Sequence, residues 1–102
     1  MSFIQRLPVV TPTDRRRYRA IPGVLSGRFE DETFLLSLAT GRYYKLDDVG
    51  SEVWRMLHHF RAFPEIIEDL EHVYDIAPPT LAVDVADLLT RLLGYKVIEV
   101  CS

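Results

Sequence analysis

Residues 33–57, TFLLSLATGRYYKLDDVGSEVWRML, change hydrophobic period part-way along, and that change leaves few choices of fold. Residues 33–38 are apolar and rich in strand formers. Ala39, Thr40 and Gly41 can reverse the chain, because Gly41 accepts the positive φ that hairpin loops often need. Arg42, Tyr43, Tyr44, Lys45 and Leu46 then return with period two: Tyr44 and Leu46 point one way, Tyr43 and Lys45 the other. From Asp47 the period lengthens. Asp47 and Asp48 suit the positive end of a helix, and Val49, Val53, Met56, Leu57 and Phe60 fall on one helical face. The unit is a hairpin packed on a helix, and it leaves a strand edge without a partner in its own sequence.

The neighbouring segments extend this unit. Pro22 and Gly23 break the chain, and residues 24–30, VLSGRFE, read as a strand with Gly27 as a candidate bulge, turning at Asp31 and Glu32. The short connections favour an antiparallel meander of strands near 24–30, 33–38 and 42–46. Pro64 suits the first turn of a second helix, buried through Ile66, Ile67, Leu70, Val73 and Tyr74. Residues 75–79 break it. Thr80 can cap a third helix that runs to about Leu93, with Gly94 as its C′ residue. Residues 95–100, YKVIEV, read as a final strand. The expected class is α+β and winged-helix-like: a three-stranded antiparallel sheet, three helices and a short C-terminal strand. Residues 1–20 read as a partly mobile arm ahead of one domain, 21–102. The arm carries Arg15, Arg16, Arg17 and Arg19, either solvated or able to hold an acidic partner, and Val9 and Val10 can add a short strand.

The third helix has more apolar surface than a core stripe needs. At about 100° per residue, Leu81, Val85, Leu88 and Leu92 form the centre of the stripe. Ala82, Ala86, Leu89 and Leu93 widen it on one flank, either as core or as the wall of a groove, while Asp84, Asp87 and Arg91 occupy the other.

Taken together, LLSLATGRYYKLDDVGSEVWRML resembles the PqqD-like domains, or RiPP recognition elements. Thr40, Gly41, Arg42, Tyr43, Tyr44 and Leu46 match their "tGrYy-x-L" step, Gly50 their glycine, and Val53, Trp54 and Leu57 their helix; Asp47 replaces the usual Asn. Ile66, Leu70 and Tyr74-Asp75 fit the second helix, and Asp84-Val85, Leu88-Leu89, Leu92 and residues 94–99 fit the third helix and its exit. The resemblance spans about residues 24–100. It implies a non-catalytic module without a cofactor that captures the leader segment of a ribosomally made precursor peptide. The leader adds as a strand along Arg42, Tyr43, Tyr44, Lys45 and Leu46 and packs on the third helix, so the surplus flank Ala82, Ala86, Leu89 and Leu93 becomes the candidate wall. The compact GRYYKL form is most similar to the lasso-peptide version, which implies a cysteine leader peptidase and an ATP-dependent macrolactam cyclase as partners. The quinone-cofactor (PQQ) type, acting with a radical-SAM enzyme, is the alternative. An open strand edge can also pair with a second copy, which makes an edge-strand homodimer a further expectation.

Other classes find less support. The net charge of −3 does not draw the whole surface to nucleic acid. A winged-helix DNA-binding regulator would read through the third helix, whose outer face holds Asp84 and Asp87 against a single Arg91, the wrong sign for phosphates. His58 and His59 are adjacent and point apart on a helix, His72 stands alone, and Cys101 is the only cysteine, so no metal or nucleophilic site is expected. No apolar run reaches the roughly 18 residues of a membrane span, and the N-terminus lacks a signal-peptide pattern; with the lone cysteine, these suggest a cytoplasmic protein.

Overall fold

The computed structural model describes residues 9–101. Its elements are β1 (Arg17–Ala20), β2 (Leu25–Phe29), β3 (Glu32–Ser37), β4 (Arg42–Leu46), α1 (Asp48–Met56), β5 (Arg61–Ala62), α2 (Phe63–Val73), α3 (Pro78–Gly94) and β6 (Ile98–Cys101). The expected α+β order is present. Strands β2, β3 and β4 form the antiparallel meander, with Leu35 opposite Ser26 on one side and Tyr44 on the other. Gly41 takes φ +70° in the β3–β4 loop. Gly27 makes no bulge: pairing runs unbroken from Leu25–Leu36 to Phe29–Glu32.

A second small sheet, ordered β5-β1-β6, holds the two segments that the sequence pattern did not separate from loop. Residues 17–20, within the stretch read as an irregular arm, form its central strand. The final strand pairs there, with Tyr18 opposite Val100, rather than with the hairpin. Tyr18 is the reason. Its ring is completely buried, and the Ala20 N–H donates to the Leu57 carbonyl at the end of α1. Burying an aromatic ring of this size outweighs the pull of the surrounding arginines toward water. Arg16 pairs with Asp14 and Arg19 with Glu99, so two of the four cations are already engaged. Val10 is not in a strand; it is buried, and its N–H donates to Thr90 Oγ1.

Helix boundaries shift for local reasons. Asp47 caps α1, accepting from the Gly50 N–H at 2.8 Å. Gly50 fits closely there: a Cβ would meet Leu46 Cβ at 3.1 Å and Asp47 Oδ1 at 3.2 Å, so a side chain would require a small shift. The helix stops at Met56, so Phe60 lies beyond it under the Arg19 guanidinium. Helix α3 starts two residues before Thr80: Pro78 and Pro79 occupy its first turn, where proline's fixed φ suits the helix and its missing N–H costs nothing. Gly94 stays helical, and Lys96 takes the left-handed turn at φ +60°.

The core lies between the inner face of the hairpin sheet and the three helices. It is built from Leu35 and Leu46, Val53 and Leu57, Ile66 and Leu70, and Leu81, Val85, Leu89 and Leu92. Among the described residues, two buried side-chain polar atoms lack hydrogen-bond partners, the Tyr18 hydroxyl and Trp54 Nε1. Burial, with the Asp14 carboxylate nearby, pushes the Tyr18 hydroxyl up to about 12. The folded state therefore holds that proton more tightly than the unfolded chain, which releases it near pH 10. Its contribution to stability is complete below pH 10 and is lost as pH rises toward 12. Tyr18→Phe is expected to change the melting temperature little at pH 7, since the hydroxyl meets no partner in good hydrogen-bond geometry among the described residues. A melting-temperature series from pH 9 to 12 should fall less steeply for the variant.

Candidate functional site

Among the described residues, strand β4 hydrogen-bonds to β3 on one side only. Its inner face carries Arg42, Tyr44 and Leu46, with Leu46 buried and Tyr44 half-buried. Tyr43 and Lys45 point to the outer face, where Lys45 pairs with Glu32 across the hairpin at 3.1 Å. The carried-over strand residues thus stand together on an open edge, as the alternation requires.

Two contacts hold Tyr44, and a third holds its stacking partner. Its ring stacks on Tyr95 with centroids 3.7 Å apart, and its hydroxyl lies 3.1 Å from Thr40 Oγ1. Ser37, buried one strand away, donates to the Tyr95 carbonyl at 2.7 Å. These contacts pin the exit of α3 to the hairpin and bring the two elements together at the Tyr44 end of β4.

Toward the Leu46 end, a hollow of ≈ 240 Å³ separates the start of α1 from α3. Asp47, Val49 and Gly50 line one side, Asp84, Asp87, Leu88 and Arg91 the other, and Leu81 and Ile76 complete the lining. The helix face beside β4 is therefore the charged flank. Ala82 lies about 180° around the helix from Arg91, and the flank proposed from the sequence as a wall divides three ways. Ala86 and Leu89 are core, at 2 % and 0 % exposure. Ala82 lines a larger hollow of ≈ 610 Å³ formed with α2 and residues 12–15, which has no open strand edge among its lining residues. Leu93 lines another, with Ile21, Pro22 and Val24. The physical reason is helix rotation: the stripe centre faces α1 and α2, so widening it on the Ala86 side turns away from β4. Leu93→Glu is accordingly expected to leave peptide affinity within about twofold, measured by fluorescence anisotropy.

Leu88, Asp84, Asp87 and Arg91, which line this hollow, and Tyr95, which stacks on Tyr44, are residues that sequence reasoning did not place beside the strand. Helical phase groups them, but only the Tyr44–Tyr95 stack says which side of the helix meets the strand. Among the described residues, no group of three or more His, Cys, Asp or Glu side chains could hold a metal ion, and no helix is long and apolar enough to cross a membrane.

Comparison with known proteins places this geometry. The family model described as coenzyme PQQ synthesis protein D (PqqD) matches residues 32–98. The chain belongs to the PqqD family. A solved structure of TbiB1 in complex with the TbiA(beta) leader peptide is 33 % identical, with TM-score 0.73 over 79 % of this chain and 94 % of that one. The solution structure of the PqqD truncation of Methylobacterium extorquens PqqCD, described as a functional and stand-alone RiPP recognition element, is 26 % identical, with TM-score 0.66 over 81 % of this chain and 88 % of that one. No curated protein sequence matches. In this PqqD-family chain, the matched region runs from β3 to the start of β6 and so contains both sides of the furrow.

Proposed function

We propose that this protein binds the leader segment of a ribosomally made precursor peptide in the cytoplasm as an added strand on β4, and presents it to modifying enzymes without doing chemistry itself. The observation that carries this reading is the open edge of β4, which leads at Asp47 into a hollow between the start of α1 and α3. Main-chain hydrogen bonds along such an edge supply affinity whatever the sequence, and the furrow supplies selectivity. The likeness to a leader-bound TbiB1 supports the same reading. Lasso-type partners, a leader peptidase and a macrolactam cyclase, rest on the resemblance of the compact GRYYKL form, with the radical-SAM partner of the quinone-cofactor type as the alternative. An edge-strand homodimer would use the same backbone groups and so compete with the leader.

The test is direct binding. A fluorescein-labelled leader from the precursor gene of the same cluster should raise its anisotropy on titration with this protein alone, with no enzyme, nucleotide or metal added. Indifference to every leader of that cluster would overturn the reading.

A further inference from the structure

The leader reading leaves open what the furrow selects, and its two ends differ in charge. Strand β4 passes Tyr44, stacked on Tyr95 at the exit of α3, and ends at Leu46; the next residue, Asp47, borders the hollow holding Asp84 and Asp87. Strand and helix are therefore antiparallel along the furrow. Read from the Leu46 end, the helix wall presents Asp84, then Asp87, then Arg91. All three are exposed, and none forms an ion pair or side-chain hydrogen bond among the described residues. Asp87 and Arg91 stand four residues apart, a spacing that allows a pair on a helix, yet they do not bridge. Arg42, exposed on the same face of β4 as Tyr44, adds a second cation toward the other end, also without an ion pair. Between the charges lies an apolar floor of Leu81, Leu88 and Val49.

The spacings match those of a strand. Four helical residues rise about 6 Å, and alternate side chains of an extended guest are about 6.8 Å apart. Two successive helix-facing side chains of the guest thus meet Asp87 and Arg91 in turn.

We propose, resting on the leader reading, that the furrow selects extended peptides by charge order: a lysine or arginine toward Asp84 and Asp87, and an aspartate or glutamate two positions away toward Arg91. The order also sets direction. A guest antiparallel to β4 enters at the Leu46 end and carries its basic residue first; a parallel guest carries it second. Because these charges are exposed, they tune affinity and encounter, while the backbone edge supplies the bulk of binding.

The probe is the leader of the precursor encoded beside this gene, synthesised with lysine and with glutamate at each position in turn and read by anisotropy. At one helix-facing position lysine should bind about 5-fold more tightly than glutamate, the scale of two exposed ion pairs. Two positions on, the preference should reverse, and both should shrink in high salt. In the double variant Asp84→Lys, Asp87→Lys, the first preference inverts and the second remains; Asp84→Asn with Asp87→Asn, which keeps size and shape, abolishes the first. Lysine and glutamate peptides that bind within twofold of each other at every position would overturn the charge order and leave strand addition standing, as would a first preference unchanged in both variants. A leader that does not bind the unsubstituted protein at all removes both.

Discussion

Leu89→Asp is expected to unfold the protein rather than weaken peptide capture. Leu89 has no exposed surface and sits among the core side chains. Truncating such a leucine costs about 2–5 kcal/mol, and a carboxylate left in its place without a partner adds a desolvation penalty of several kcal/mol more. The total approaches the roughly 5–15 kcal/mol that holds a domain together. Thermal unfolding followed by circular dichroism should lose its cooperative transition at neutral pH. A variant that melts like the unsubstituted protein and only binds leader less well would place Leu89 on a groove wall, against the packing described here.

Proline substitution along β4 should split into two outcomes by alternation. In an antiparallel pair, successive residues turn their N–H and C=O groups alternately toward the partner and away from it. Either Tyr43 and Lys45, or Arg42, Tyr44 and Leu46, therefore offer their N–H groups to the open side. At an outward position proline removes a donor that only the guest uses and crowds the edge, so affinity should fall more than 10-fold with the fold retained. At an inward position it breaks a ladder bond to β3 and lowers the melting temperature. Tyr43→Pro, Tyr44→Pro and Lys45→Pro, each scored for melting and for leader anisotropy, make the comparison. If all three keep full affinity while folded, the edge of β4 is not the platform.

Much of this was legible in residues 33–57. Period two in RYYKL, the loop glycine Gly41 and the Asp47 cap each have one local solution, and the chain adopts it. What was not legible depends on long-range packing. Residues 17–20 look like part of a solvated basic arm because four arginines, Arg15, Arg16, Arg17 and Arg19, surround one tyrosine. That tyrosine becomes core only once β6, some 80 residues later, lies alongside it. Which flank of α3 turns toward the strand was not legible for a related reason. Helical phase identifies the two flanks of α3, but the choice between them is made by Tyr95 stacking on Tyr44 and by Ser37 holding the Tyr95 carbonyl. Neither contact has a signature in the local pattern. The start of α3 was legible in principle: Pro78-Pro79 is as strong a first-turn signal as a threonine cap, and it lies earlier in the chain.

Amide hydrogen exchange with and without saturating leader tests the central claim most directly. Free, the outward amides of β4 should exchange quickly, since nothing among the described residues pairs with them. With leader bound, alternate amides between Arg42 and Leu46 should slow by more than 10-fold, the ones whose N–H groups point away from β3, while the amides of β2 and β6 keep their rates. Unchanged exchange in β4 with leader bound, or new protection confined to the opposite edge at Leu25–Phe29, would contradict the account.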